Sequence, residues 1–88
     1  MTPYKPLHIG HHALIEMRKA LPHITRADVR EIFERGVRRP AKYQRPGGEY
    51  RWEKSLVVTR RGKLAEIVYV ENAVRVELVT AYWVGEYD

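Results

Sequence analysis

Four histidines, His8, His11, His12 and His23, are the side chains of this 88-residue sequence that titrate near neutrality. His12 falls at the start of an expected helix, where the positive end of the helix dipole favours the neutral imidazole. A neutral imidazole can accept a proton from a ribose 2′-hydroxyl. A capping or packing histidine is the other reading, and spacing alone favours it. His8, His12 and Glu16 are four residues apart and would share a ligand face if the helix began early. Pro6 and Gly10 oppose that extension, so neither a metal nor a cofactor is expected. His23, beside Pro22, reads as a solvated loop residue. Arg51, Lys54 and Arg75 lie within strand-like runs, where cations can clamp a phosphate and stabilise its pentacovalent transition state. Cross-strand pairing with Glu53, Glu66 or Glu77 accounts for them equally well. Tyr50, Trp52, Tyr69, Tyr82 and Trp83 could stack on bases or fill a small core. Tyr82 and Trp83, at the end of the last run, are the stronger stacking candidates.

Other chemistries find no support. Cysteine is absent, which removes disulfides, thiolate catalysis and cysteine-ligated zinc. Ser55 is the single serine and lies mid-strand, and Gly47–Gly48 reads as a turn rather than a phosphate loop. The acids are scattered, with no paired-carboxylate pattern.

These residues need elements to position them. Residues 1–10, with Pro3, Pro6 and Gly10, read as an extended arm. A first helix is expected from His11 to Ala20, with Ala13, Leu14, Met17 and Leu21 on its apolar side. The second helix has the clearest start signal. Thr25 is the N-cap, Asp28 completes a near capping box, and Ile24 and Val29 occupy the staple positions. Val29, Ile32 and Phe33 form its core stripe, and Gly36 ends it. The short connection predicts a helical hairpin over 11–36. The segment 37–48 reads as a basic loop with a short strand near Tyr43. Three strands follow, Glu49–Thr59, Leu64–Glu71 and Val74–Trp83, joined too tightly for parallel crossovers. The predicted fold is thus one α+β domain over 1–88: two N-terminal helices packed on a three-to-four-stranded antiparallel meander spanning 49–83. Strict alternation along the last strand puts Val74, Val76, Leu78, Thr80 and Tyr82 on one face. If that face meets the helices, Thr80 and Tyr82 emerge beside the histidine-bearing helix.

Sixteen Lys and Arg against eleven acids give a net charge of +5, and eleven of the sixteen are arginine. Such a surplus attracts polyanions, and arginine suits bidentate phosphate contacts. Arg38, Arg39, Lys42 and Arg45 concentrate it in the 37–48 segment, with Trp83 as a stacking partner for RNA. No apolar run approaches a membrane span and the N-terminus lacks a signal pattern, so cytoplasmic location and no membrane contact are expected.

HALIEM at 12–17, ITRADVREIF at 24–33 and VTAYW at 79–83 resemble a small bacterial family of domains of unknown function, grouped with the barnase–EndoU–colicin–RelE nuclease superfamily. The likeness spans about residues 9–83. It implies a RelE/barnase-like fold and a metal-independent ribonuclease of toxin type, with a cognate antitoxin or immunity protein as partner. It also implies roles for His12 as the helix-one histidine, Arg51 and Lys54 as early-sheet cations, and Thr80 and Tyr82 as strand-end groups. ALPHIT stands where the family carries an arginine-glycine segment. The implied reaction on tRNA or mRNA yields a 2′,3′-cyclic phosphate, with His12 as base and Arg51, aided by Lys54, on the phosphorane. The other two readings are a noncatalytic nucleic-acid-binding module and a protein-interaction domain or homodimer, pairing through Glu49–Thr59 as an edge strand.

Overall fold

The computed structural model describes residues 5–85; residues 1–4, including Pro3 of the expected arm, and 86–88 lie outside the described residues. The chain runs β1 (Leu7–His8), α1 (His11–Lys19), α2 (Arg26–Arg35), β2 (Val37–Pro40), β3 (Arg51–Val58), β4 (Lys63–Glu71) and β5 (Val76–Trp83). The strands form one five-stranded sheet in the order β1-β5-β4-β3-β2. The three-strand meander is present as expected, and the sheet is larger than it. β1, inside the expected arm, pairs parallel with β5. β2 pairs antiparallel with β3 and lies at Val37–Pro40, not near Tyr43. β3 is therefore an interior strand, covered by β2 over Trp52–Ser55, and not the edge strand expected at Glu49–Thr59.

Helix α2 forms where its start signal placed it. Thr25 Oγ1 accepts from the Asp28 amide at 3.2 Å, and Asp28 Oδ2 accepts from the Thr25 amide at 3.0 Å. Two donors left free by the helix start are thereby satisfied. Gly36 ends the helix for a reason different from the usual left-handed cap. Its φ is −72°, but an added Cβ would collide with the Ile32 carbonyl oxygen and lie 3.0 Å from that of Ser55. The helix end and β3 approach too closely for any side chain.

The two helices do not pair as a hairpin. α1 packs over β5, and α2 over β3 and β4. Between helices and sheet lie Ala13, Met17, Val29, Ile32, Ile67, Tyr69, Leu78 and Trp83, all nearly inaccessible. Each large aliphatic side chain buried here contributes roughly 1.5–3 kcal/mol. Phe33 meets Tyr69 edge-on at 5.4 Å.

One irregularity decides how residues divide between the two faces. Tyr69 pairs with Leu78, but Val68 pairs with Thr80, so β5 carries one extra residue, Val79. This β-bulge reverses the alternation beyond it. Leu78, Ala81 and Trp83 all point into the helix-covered core, while Thr80 and Tyr82 turn to the open face. Unbroken alternation would have buried two hydroxyl-bearing side chains and exposed a tryptophan.

Candidate functional site

The open face of the sheet carries Arg39 from β2, Glu53 and Ser55 from β3, Glu66 from β4 and Tyr82 from β5. Arg39 is the hub. Its Nε donates to Glu53 Oε1 at 2.5 Å, and one Nη donates to Ser55 Oγ at 2.9 Å. The other Nη donates to Glu66 Oε1, and the Tyr82 hydroxyl donates to Glu66 Oε2. Glu53 and Glu66 are 2% and 3% exposed, so both carboxylates lie out of water against a single guanidinium. Burial pushes the Tyr82 hydroxyl far above its ordinary pKa, with the hydrogen bond to Glu66 and the charges of Glu66 and Glu53 adding to it.

Two depressions lie along the sheet, and the second shares Glu53 and Tyr82 with this network. The first, about 520 Å³, is bordered by His12, Arg45, Glu49, Arg51, Glu77 and Val79. His12 comes from the first turn of α1, Arg45 from the β2–β3 loop and Arg51 from the start of β3. The bulge residue Val79 forms part of the wall, beyond the point where β1 stops covering β5. The second, about 350 Å³, is bordered by Ala41, Tyr43, Arg51, Glu53, Thr80 and Tyr82, with Lys42 and Val68 also lining it. Arg51 borders both.

The residues singled out from sequence therefore separate into groups. His12, Arg45 and Arg51 open onto one depression. Thr80, Tyr82, Lys42 and again Arg51 open onto the other. Thr80 and Tyr82 are not beside helix α1 in the helix-facing layer, because the bulge turns them over.

Lys54 points the other way, into the helix layer. Its Nζ donates to the Phe33 carbonyl at 2.7 Å and sits 4.4 Å from the Phe33 ring centre. Burial lowers its pKa, as does the charge of Arg38, against a smaller opposing effect of Glu71. Lys54 cannot share a phosphate with Arg51, since residues three apart on a strand lie on opposite faces. Trp83 is a core residue, 3% exposed, with its indole N–H donated to the Pro22 carbonyl at 2.7 Å, and so offers no surface for stacking. Arg38 stacks on the Trp52 ring at 3.7 Å, and Tyr50 packs edge-on against that ring at 5.0 Å. Arg39 is committed to the carboxylates.

Glu53 and Glu66 carry no paired pattern in the sequence, being thirteen positions apart. The β3–β4 register makes them diagonal neighbours: Ser55 faces Glu66, and Glu53 faces Val68. The signal available was the run Arg51, Glu53, Ser55, which places polar groups on one face of a strand that proves interior. Among the described residues, no group of three or more His, Asp or Glu side chains is placed to hold a metal ion. No described helix is long and apolar enough to cross a membrane. Comparison with protein-family models, characterised proteins and solved structures finds no match to this chain.

Proposed function

We propose that the protein is a metal-independent RNA endonuclease whose phosphate site is the His12–Arg45–Arg51 depression. The observation that supports this is the convergence of His12, from the start of α1, with Arg45 and Arg51, from the β2–β3 loop and the start of β3, on one open concavity. Arg45 and Arg51 bring positive charge to a scissile phosphate, and charge placed where the phosphorane develops stabilises the transition state. His12 is solvent-exposed and available to take the 2′-hydroxyl proton. That oxygen attacks phosphorus, the bond to the 5′-oxygen breaks, and the products are a 2′,3′-cyclic phosphate and a 5′-hydroxyl. A toxin of this kind works with a cognate antitoxin or immunity protein, and its substrates would be tRNA or mRNA.

The test is incubation of the purified protein with total RNA and tRNA in EDTA, beside a His12→Ala variant. Cleavage by the parent and at least a hundredfold loss in the folded variant is the expected result, the usual scale for removing a general base being roughly 10²–10⁴. Full cleavage by His12→Ala would remove the histidine from the mechanism.

A second reading rests on a different observation. Lys54 and Trp83 face the helix layer, and Thr80 and Tyr82 open onto the other depression. The basic surface would then bind RNA without cutting it. Salt-dependent affinity with RNA recovered intact would select that reading.

A further inference from the structure

We infer that Arg38, Trp52 and Tyr50 form a stacking platform for single-stranded RNA on the helix-bearing side of the sheet, opposite the face onto which Arg51 opens. The inference rests on the proposed nuclease reading for its ligand, and deepens it by naming the conformation of the substrate.

Strand register brings the three residues together. Arg38 stands on β2, the end strand, directly opposite Lys54 of β3, and its guanidinium lies over the Trp52 ring at 3.7 Å. Lys54 donates to the Phe33 carbonyl of α2, which fixes this as the helix-bearing side. The helices leave this end of it open: Arg38 is exposed, and Tyr50 is 52% exposed.

Charge points to a polyanion. Like charges directly opposite on neighbouring strands destabilise a sheet, and Arg38 and Lys54 are such a pair. Among the described residues, neither makes an ion pair with a carboxylate. The hydrogen bond from Lys5 at 2.7 Å holds the Glu71 carboxyl below its ordinary pKa, and the charges of Lys5, Arg38 and Lys54 add to this against the effect of burial. Three cations thus act on one acid. Glu34 shares a groove with Arg26 and Arg30, and Glu49 a depression with Arg45 and Arg51, so neither reverses that balance. A phosphate laid against Arg38 offsets its repulsion with Lys54. Lys54 supplies charge rather than a contact, its ammonium being held at the Phe33 carbonyl.

Ring geometry selects a single strand. Unpaired bases stack on aromatic rings and on guanidinium planes alike. A base on the outer face of Arg38 extends the Trp52–Arg38 stack. The Tyr50 ring is inclined at 66° to that of Trp52, with centroids 5.0 Å apart, so a base on Tyr50 is splayed from the first. Duplex bases lie parallel and cannot serve both surfaces. Trp52 packs against the core, so the platform is set before a ligand arrives and little ordering is lost on binding. The platform also adjoins the proposed phosphate site. Tyr50 packs with Trp52 while Arg51, the next residue, opens onto the other face. A strand rounding the start of β3 would carry a phosphate at Arg51 and flanking bases at Tyr50 and Arg38.

The test follows the fluorescence anisotropy of a labelled 2′-O-methyl RNA of about twelve nucleotides, single or annealed to its complement. Its blocked 2′-oxygens prevent cleavage, so the readout is independent of turnover. The single strand is expected to bind at least about tenfold more tightly than the duplex. Tyr50→Ala should weaken single-strand binding roughly tenfold. Arg38→Gln should do the same and flatten the salt dependence. Both positions are exposed, so both variants should melt with the parent. Trp52 and Trp83 are the two tryptophans, and Trp83 is 3% exposed, so quenching of tryptophan emission by the strand reports on Trp52 and should vanish in Trp52→Phe. Equal affinities for strand and duplex, or parental binding by both Tyr50→Ala and Arg38→Gln, would overturn the platform. Cleavage in EDTA by the parent and both variants alike, with unchanged strand affinity, would sink the platform alone. Strand binding that depends on Tyr50 and Arg38, with no cleavage of RNA in EDTA, would sink the nuclease reading alone.

Discussion

Arg39 is the residue whose removal best separates a basic RNA contact from a structural hub. Arg39→Met keeps most of the aliphatic stem and deletes the charge. In the parent, the guanidinium donates to Glu53, Ser55 and Glu66, and the two carboxylates are 2% and 3% exposed. Deleting one partner of a buried ion pair typically costs about 3–5 kcal/mol, because the remaining charge stays buried without compensation. The Arg39 side chain is itself 41% exposed, so water already screens part of the interaction. The expected cost therefore sits at the low end, about 3 kcal/mol. For a domain of this size that lowers the melting temperature by roughly 12–24 °C. The assay is a thermal melt followed by circular dichroism at pH 7, run beside Arg45→Met. Arg45 is exposed in the β2–β3 loop, so its variant should melt within about 2 °C of the parent while binding RNA more weakly. If Arg39→Met melted with the parent and lost only RNA affinity, the buried network would not hold the sheet as described.

Burial raises the Asp28 pKa, but hydrogen bonds from Thr25 and the nearby Arg60 and Arg61 outweigh it, so its folded value lies below 3.8. A depressed carboxylate contributes stability above its unfolded pKa and loses it as pH falls through the folded value. Asp28→Asn should thus cost about 1–2 kcal/mol at pH 7 in urea denaturation. The gap from the parent should narrow below about pH 4, and a gap that widened on acidification would contradict the assigned sign. Lys54→Met should cleave RNA within about twofold of the parent rate, because its ammonium is held by the Phe33 carbonyl in the helix layer. A hundredfold loss in a folded Lys54→Met protein would place that side chain in the mechanism.

Local signals in the sequence were sufficient for much of the framework. Thr25 and Asp28 specify the start of α2 through contacts made within one helical turn. Val58 and Gly62 close the β3–β4 turn through the Gly62 amide, 2.8 Å from the Val58 carbonyl, with Gly62 at a φ of 65° that glycine adopts without strain. His12 and Arg51, chosen for their chemistry, do open onto one depression. β1 and β2 were less legible, because each is completed by a distant strand rather than by its own pattern.

Local chemistry is thus written in the residues themselves: the helix cap, the tight strand turns, the basic balance and the histidine at the start of α1. Which side chains share a face follows instead from packing between strands and helices far apart in the chain. The bulge at Val79 exists because Leu78 and Trp83 can both reach the core only if one residue between them is left unpaired. Period-two alternation does not reveal such an interruption. Its consequence reaches the site, turning Thr80 and Tyr82 away from the helices and toward Glu53, Glu66 and Arg39. The pairing of the two carboxylates was hidden for the same reason, since strand register is set by the burial of whole faces and not by the residues that the register brings together.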